Sequence, residues 1–239
     1  KTNKIAVYSG TGTIVDRCHV SVRSESGEPV LLETDHILIA TGSVPACPPI
    51  PGADLPGVVT SDGLLDKQDM FGHLIIIGGG VIGMEFASIY SSLGHPVTVI
   101  EALDRILPGM DKEIAQNLKM ILKKRGTDIH TGARVEEILR AGDGRGLACR
   151  FVEKDKAWEV TADGILIATG RRAYTGGLIS EESSQDIKDM AMERGRIVTD
   201  GNHETSVPGI YAIGDVAGGI QLAHAATAQG RSAVAHMAG

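Results

Sequence analysis

Aromatic residues are almost missing from this chain: one Trp, four Tyr and three Phe among 239 residues, 3% in all. Its core must therefore rest on Ile, Val, Leu and Ala. Cysteine is scarcer still. Cys18, Cys47 and Cys149 lie far apart, and no pair has C-x-x-C or similar spacing. That excludes a disulfide scaffold and leaves no zinc or other metal site to expect, so each thiol is read as a small core hydrophobe or a bystander. The same scarcity points to a reducing, cytoplasmic compartment. Positive charge is in deficit, with 23 Lys and Arg against 30 Asp and Glu and a net charge of −7. This argues against nucleic acid as a partner and favours solubility. No apolar run approaches the length of a membrane span, so no membrane association is expected, and the polar start Lys1-Thr2-Asn3-Lys4 has none of the features of a signal peptide. The balance, 42% hydrophobic and 22% charged, is that of a globular protein with one large domain or two small ones.

The richest stretch runs from Leu74 to Glu101, LIIIGGGVIGMEFASIYSSLGHPVTVIE. It predicts a buried strand (Leu74–Ile77), a glycine turn, a helix from Val81 to about Leu93, and a second strand (Val97–Ile100). The turn satisfies G-x-G-x-x-G at Gly78, Gly80 and Gly83. Gly78 allows a tight turn, Gly80 lets the backbone approach a pyrophosphate, and Gly83 lets the helix sit close on the sheet. The helix N-terminus then offers free N–H groups and its positive dipole end to phosphates. Gly94 stops the helix and Pro96 blocks its continuation. Glu101 closes the next strand, 18 residues after Gly83, where a carboxylate accepts bonds from an adenosine ribose and repels a 2′-phosphate. The plainer alternative is a turn that merely joins strand to helix. The complete strand–turn–helix–strand context favours a dinucleotide site, with NAD preferred over NADP. Arg105 is near enough in sequence to blunt that preference.

Before this stretch, KIAVYSG (from Lys4), TIVDRCHVSV, PVLLET and HILIA are expected as β structure. His19-Val20-Ser21-Val22 alternates like a half-exposed meander strand, and Ile37-Leu38-Ile39-Ala40 reads as a buried one. Pro45, Pro48, Pro49, Pro51 and Pro56 supply five of the nine prolines. That density excludes helix and central strand and suggests a semi-rigid crossing between domains. After Glu101, Asp111 is a good N-cap. Ile114, Leu118, Ile121 and Leu122 form an amphipathic stripe closed by Gly126. A third parallel strand is expected near Thr127–His130. From Val135 to Thr161 the pattern is strand-like, with turns at Gly142-Asp143-Gly144 and Lys154-Asp155-Lys156. A polar stretch (Ser180–Asp186), a hairpin at Arg194–Val198, a strand at Ile210–Ile213 and a helix-compatible tail from Gln221 to Gly239 complete the chain.

The chain also repeats itself. Asp35-His36-Ile37-Leu38-Ile39-Ala40-Thr41-Gly42 returns as Asp163-Gly164-Ile165-Leu166-Ile167-Ala168-Thr169-Gly170, with seven of eight residues identical. Each copy follows a meander and closes it with a buried strand, so two units of similar plan are expected.

Five landmarks then stand in order: ILIATGS (Ile37–Ser43), IIIGGGVIGMEFASIYSSLG (Ile75–Gly94), VTVIEALDRILPGMD (Val97–Asp111), ILIATGRR (Ile165–Arg172) and IYAIGDVAGG-x-x-LAHAA (Ile210–Ala226). Together they resemble the flavin-dependent pyridine nucleotide–disulfide oxidoreductases, and among them the dihydrolipoamide dehydrogenase branch. The resemblance spans nearly the whole chain. It implies an α/β fold with a Rossmann-like NAD domain, a parallel sheet carrying an inserted β-meander, plus a partial FAD domain of the same plan. The domains would be residues 1–55 (partial FAD domain), 56–175 (NAD domain) and 176–239 (partial FAD domain).

By position, Gly78, Gly79, Gly80, Val81, Ile82, Gly83 and Met84 would hold the NAD pyrophosphate, and Glu101 the adenosine ribose. Glu85 matches a glutamate near the nicotinamide; as a first-turn acid it also suits the helix dipole. Val135 matches an adenine-pocket position and is otherwise a meander core valine. Gly170 matches the glycine at the nicotinamide end, followed by Arg171 as in the family, whereas Ala173 replaces an expected proline. On the flavin side Gly12, Thr41, Gly42, Ser43, Asp215, Gln221, Leu222, Ala223 and His224 match FAD-contacting positions. Asp215 corresponds to the aspartate on the ribitol, or is a plain turn aspartate.

The family's first glycine fingerprint, its C-x-x-x-x-C redox pair and its C-terminal dimerisation domain with a catalytic His–Glu pair have no counterpart here, so no catalytic residue is assigned. The chain is expected to be the middle of such an enzyme, inactive alone and holding FAD weakly or not at all. The whole enzyme would pass electrons from dihydrolipoamide through a cysteine pair and FAD to NAD, as a homodimer docked to a 2-oxo acid dehydrogenase complex. Another disulfide reductase, mercuric reductase, an NADH oxidase and a non-catalytic NAD(H)-binding module are the alternatives.

Overall fold

The strongest structural signal in the sequence, runs such as Leu-Ile-Ile-Ile and Gly-Ile-Leu-Ile, is that of strands covered on both faces. The structure, a computed structural model, describes residues 5–24, 27–142, 144 and 146–239. Lys1–Lys4 and Asp143, part of two sequence expectations above, lie outside the described residues. The chain forms two compact units: residues 1–44 with 172–239, and residues 45–171.

The second unit is built on a five-stranded parallel sheet in the order Val58–Thr60, Gly164–Ile167, Leu74–Ile77, Val97–Glu101, Asp128–Thr131. Because side chains alternate along a strand, each strand feeds two cores. Leu74, Ile76, Val97, Val99, Ile129 and Leu166 pack with Met84, Ala87, Tyr90, Ala115 and Leu122 on the helix side. Ile75, Ile77, Ile165 and Ile167 pack with Ile138, Leu147, Cys149 and Phe151 on the other. That second layer is an antiparallel meander of Ala133–Arg140, Leu147–Glu153 and Lys156–Ala162. Its Lys154-Asp155 turn has positive φ at both residues, as a two-residue hairpin requires.

The helix Lys112–Lys124 corrects the expected stripe. Asp111 caps it as anticipated, accepting from Glu113 N at 2.8 Å and Ile114 N at 3.4 Å. The buried row, however, is Ala115, Leu118 and Leu122, while Ile114 and Ile121 are 59% and 48% exposed. The cap fixes where the helix starts and therefore which face meets the sheet. The small Ala115 side chain, 2% exposed, sits at the contact.

The proline-rich passage also differs from expectation. Residues 45–56 belong to the second unit, where Ile50, Ala53 and Leu55 pack on the meander-side core. Ile138 N donates to Pro51 O at 2.8 Å. Prolines suit this because the segment runs through successive turns, with Ala53 N donating to Ile50 O at 3.0 Å and Leu55 N to Gly52 O at 3.1 Å, where a residue without an N–H is tolerated.

The first unit repeats the plan with fewer parts. Thr11–Ile14, His19–Arg23 and Val30–Glu33 form its antiparallel meander, and Ile37–Ile39 pairs in parallel with Ile210–Ala212. Ile37, Ile39, Ile210 and Ala212 bury against Ile14, Leu178, Ile187, Ile197 and Val216. The helix Ala223–Met237 covers Tyr211 and Ile213 through Ala233. The expected hairpin is the pair Met192–Glu193 and Arg196–Ile197, turning through Arg194 and Gly195 at positive φ. Residues 5–9, expected as a strand, carry none: Ile5 and Val7 are 70% and 83% exposed. Their apolar content mimics a strand, but they pair with none of the described strands.

Gly52 offers a test of the docked passage. Its φ is +82°, and a Cβ there would lie 1.9 Å from Ile138 O. Left-handed backbone alone costs an L-residue about 1–2 kcal/mol, and the clash adds to it. Gly52→Ala should destabilise the second unit by roughly 2 kcal/mol or more. Denaturant unfolding followed by Trp158, the only tryptophan, measures this; an unchanged midpoint would show that the contact is not made.

Candidate functional site

The carboxyl ends of the parallel strands hold nearly every residue singled out from the sequence. In the second unit the Leu74–Ile77 strand runs into the glycine turn and the helix Val81–Ser92. Gly78 has φ +116°, and a Cβ on it would lie 2.3 Å from Ala168 O. A Cβ on Gly83 would lie 2.1 Å from Gly78 O, so the helix rests directly on the turn. Gly80 is the helix N-cap and has no side chain to close the helix end, and a Cβ on it would meet nothing within 4 Å. The backbone there faces open space. This is the cradle that a phosphate-bearing ligand needs, with donors and the positive helix end on one side.

Glu101 is 8% exposed at the end of its strand. One carboxylate oxygen accepts from Gly79 N and the other from Leu103 N at 2.7 Å. A buried carboxylate is tolerable because two amides satisfy it. Arg105 does not reach over to neutralise it: its Nη2 donates to Pro108 O at 2.7 Å. Among the flanking helix residues, Met84 is 2% exposed and belongs to the core, and Ile82 packs against the same cluster. Val81 and Glu85 are exposed. Glu85 is the fifth helical residue and lies beyond the first turn, which contains no acidic residue. This corrects the dipole reading.

Gly170 follows the Gly164–Ile167 strand with φ +127° and open space at its Cβ position. Its neighbour Arg171 pairs with Asp62 at 3.1 Å. Val135 is partly buried against the meander-side core, beside a register shift in the Ala133–Arg140 strand. The structure gives it a packing role.

In the first unit the same edge brings Ser43 and Asp215 together: Ser43 Oγ donates to Asp215 Oδ2 at 2.5 Å. Thr41 Oγ1 donates to Tyr174 O at 2.6 Å, and Tyr174 N to Gly42 O at 2.9 Å. Gly214 N donates to Gln229 Oε1 at 2.7 Å, so a helix side chain fixes the turn that carries Asp215. Sequence reasoning missed Tyr174 and Gln229, for neither is in a glycine motif and their partners are remote in sequence. Gly12 lies in the Thr11–Ile14 strand, and Gln221–His224 are exposed at the start of the last helix. Among the described residues no group of three or more His, Cys, Asp or Glu is placed to hold a metal ion. None of the described helices is long and apolar enough to cross a membrane.

A family model described as pyridine nucleotide-disulphide oxidoreductase matches residues 1–230. A dihydrolipoamide dehydrogenase of Chaetomium thermophilum is 38% identical over 229 residues, covering 95% of this chain and 44% of that protein. A dihydrolipoyl dehydrogenase of Acholeplasma laidlawii is 39% identical, covering 99% and 66%. The HOCl-induced flavoprotein disulfide reductase RclA of Escherichia coli, solved as its Cu(II) complex, superposes with a TM-score of 0.84 at 33% identity, covering 96% and 50%. The chain spans about half the length of most of the curated relatives it matches.

The thiols provide a check on the burial that surrounds the site. Burial raises the Cys149 thiol to about 12, whereas Cys18 and Cys47 are exposed. A thiol reagent at neutral pH should label Cys18 and Cys47 in the native chain and reach Cys149 only in denaturant. Rapid labelling of all three would place Cys149 outside the core.

Proposed function

Because the chain belongs to the pyridine nucleotide-disulphide oxidoreductase family, we propose that its second unit is the NAD(H)-binding part of a dihydrolipoamide dehydrogenase-like flavoenzyme. The observation that carries this reading is the open cradle at Gly80, with Glu101 fixed at the neighbouring strand end. The backbone of Gly78–Gly83 would hold the pyrophosphate, and Glu101 the adenosine ribose. Gly170 would lie at the nicotinamide end. NAD supplies hydride-transfer chemistry when bound; these residues bind and orient it. Hydrogen bonds from two backbone amides keep Glu101 from swinging aside, which supports NAD over NADP, since a 2′-phosphate would have to approach an acidic side chain.

The first unit would be the remaining part of an FAD domain, with Asp215 facing the ribitol and Ser43 aligning it. Their placement at one strand edge fits that role, but the sequence has no second G-x-G-x-x-G for the flavin adenosine. It also has no C-x-x-x-x-C. This chain alone would therefore hold FAD weakly or not at all and would not turn over a disulfide. The whole protein would carry electrons from dihydrolipoamide through a cysteine pair and FAD to NAD, as a homodimer docked to a 2-oxo acid dehydrogenase complex. Similarity to RclA supports another flavoprotein disulfide reductase as the second reading.

Calorimetric titration with NADH, NADPH and FAD tests these statements. Saturable NADH binding is expected, abolished by Gly80→Val and at least ~1.4 kcal/mol, or tenfold, tighter than NADPH. Preference for NADPH would overturn the role given to Glu101. No NADH binding by a folded sample would mean that the second unit does not form a working site by itself. A chain purified yellow with stoichiometric flavin would overturn the reading of the first unit.

A further inference from the structure

Two segments grip Gly79 from opposite sides. Its N–H donates to Glu101 Oε2, and its carbonyl accepts from Leu107 N at 2.8 Å. Gly79 is a free position of the G-x-G-x-x-G pattern, yet a Cβ there would lie 3.0 Å from both Cβ and Oε2 of Glu101. A side chain here would press on the Glu101 side chain.

Leu107 reaches Gly79 in an unfavourable conformation. Its φ is 48° although it is a leucine, and its side chain is 7% exposed in the helix-side core. L-residues other than Asn and Asp seldom adopt this left-handed backbone. The surrounding strap is also imperfect. Arg105 Nη2 donates to Pro108 O at 2.7 Å, while Arg105 Nη1 is buried without a hydrogen-bond partner among the described residues. Met110 N closes the strap on Leu107 O at 2.9 Å. Strain and an unsatisfied donor in one short segment persist only where the surroundings enforce them, and such spots cluster at functional sites.

We propose that the strap Arg105–Pro108 is a positioning element of the dinucleotide site, acting through the Leu107 N–H on the Gly79 carbonyl. The Gly79–Gly80 peptide is planar and trans, so the Gly79 C=O and the Gly80 N–H point in opposite directions. Anchoring the carbonyl on Leu107 aims the Gly80 N–H away from the strap, and space is open at the Cβ position of that same residue. Leu107 and Arg105 are positioning residues that do not themselves touch the ligand. The inference rests on the NAD(H) reading of the second unit.

Leucine packing and backbone strain predict opposite orders for two substitutions. Leu107→Ala and Leu107→Gly both remove the buried side chain, but glycine adopts φ 48° without strain and alanine does not. NADH affinity should fall about five- to tenfold in Leu107→Ala and recover to within about twofold of wild type in Leu107→Gly. Equal losses, or a larger loss with glycine, would reduce Leu107 to a core side chain and overturn the proposal. Should Leu107→Ala fail to fold, Arg105→Met, outside the core clusters, serves: about a threefold weaker NADH affinity supports the proposal and an unchanged one overturns it. If the wild-type chain binds no NADH, the reading of the unit fails, and the strap is judged by amide NMR of the free protein. Gly79 and Gly80 amides made mobile in Leu107→Ala but ordered in Leu107→Gly then support the positioning role. Equal mobility in both overturns it.

Discussion

The close seat of the helix Val81–Ser92 on the glycine turn is the constraint from which the second unit is arranged. Gly83 approaches the Gly78 carbonyl so nearly that no Cβ fits between them. That approach brings the helix N-terminus to the carboxyl edge of the central strand. It also lets Met84, Ala87 and Tyr90 reach the row Leu74, Ile76, Val97 and Val99. Polar presentation and apolar burial therefore come from one contact. The buried area stabilises the unit, at roughly 25 cal/mol per Å² of apolar surface. The same packing holds the open end of the helix in place, which would lower the ordering cost of the proposed binding.

The two units show what the plan needs in order to be complete. Both put a three-stranded meander before an Ile-Leu-Ile strand and a glycine turn at positive φ, at Gly42 and Gly170. The second places that strand in a five-stranded parallel sheet, covered on one face by helices and on the other by its meander. Among its described residues the first has one parallel pair, Ile37–Ile39 with Ile210–Ala212, and side-chain bonds such as Ser43–Asp215 and Gln229–Gly214 brace the turns. With fewer strands the turns depend more on polar contacts, which contribute about 0.5–1.5 kcal/mol each. Apolar residues such as Ile220 and Leu222 stay exposed beside them.

Much of this was legible in the sequence for reasons that are local. The turn at Gly78–Gly83 announces itself because the φ of +116° at Gly78 and the close approach of Gly83 to the Gly78 carbonyl leave no room for a Cβ at either residue. The repeated Asp-x-Ile-Leu-Ile-Ala-Thr-Gly marks two strands of the same plan, whose isoleucines are buried in both copies. Asp111 was recognisable as a cap because its side chain bonds its own neighbours. What escaped depended on partners distant in sequence. The face buried by the helix Lys112–Lys124 is set by the sheet beneath it, so two exposed isoleucines looked like core. Residues 5–9 have strand composition without a strand to pair with. The prolines at 45–56 forbade helix correctly, but it takes contacts with remote residues such as Ile138 to reveal that they lie against a meander.

Glu101 shows why a motif can be identified and its working still be missed. From the sequence it is a ribose acceptor placed the right distance after Gly83. In the fold it is also a structural anion, buried and held by Gly79 N and Leu103 N. Removing such a group leaves amide donors without their acceptor, a penalty of about 1–3 kcal/mol for each buried donor. In the proposed site, selection of the adenosine end and integrity of the phosphate turn would thus share one carboxylate. Exchanging that acid for a smaller or basic residue to admit a 2′-phosphate would loosen the turn that binds the pyrophosphate of either dinucleotide. In that site specificity and affinity would be coupled by a hydrogen bond, because Gly79 is held from two sides and Glu101 is one of them.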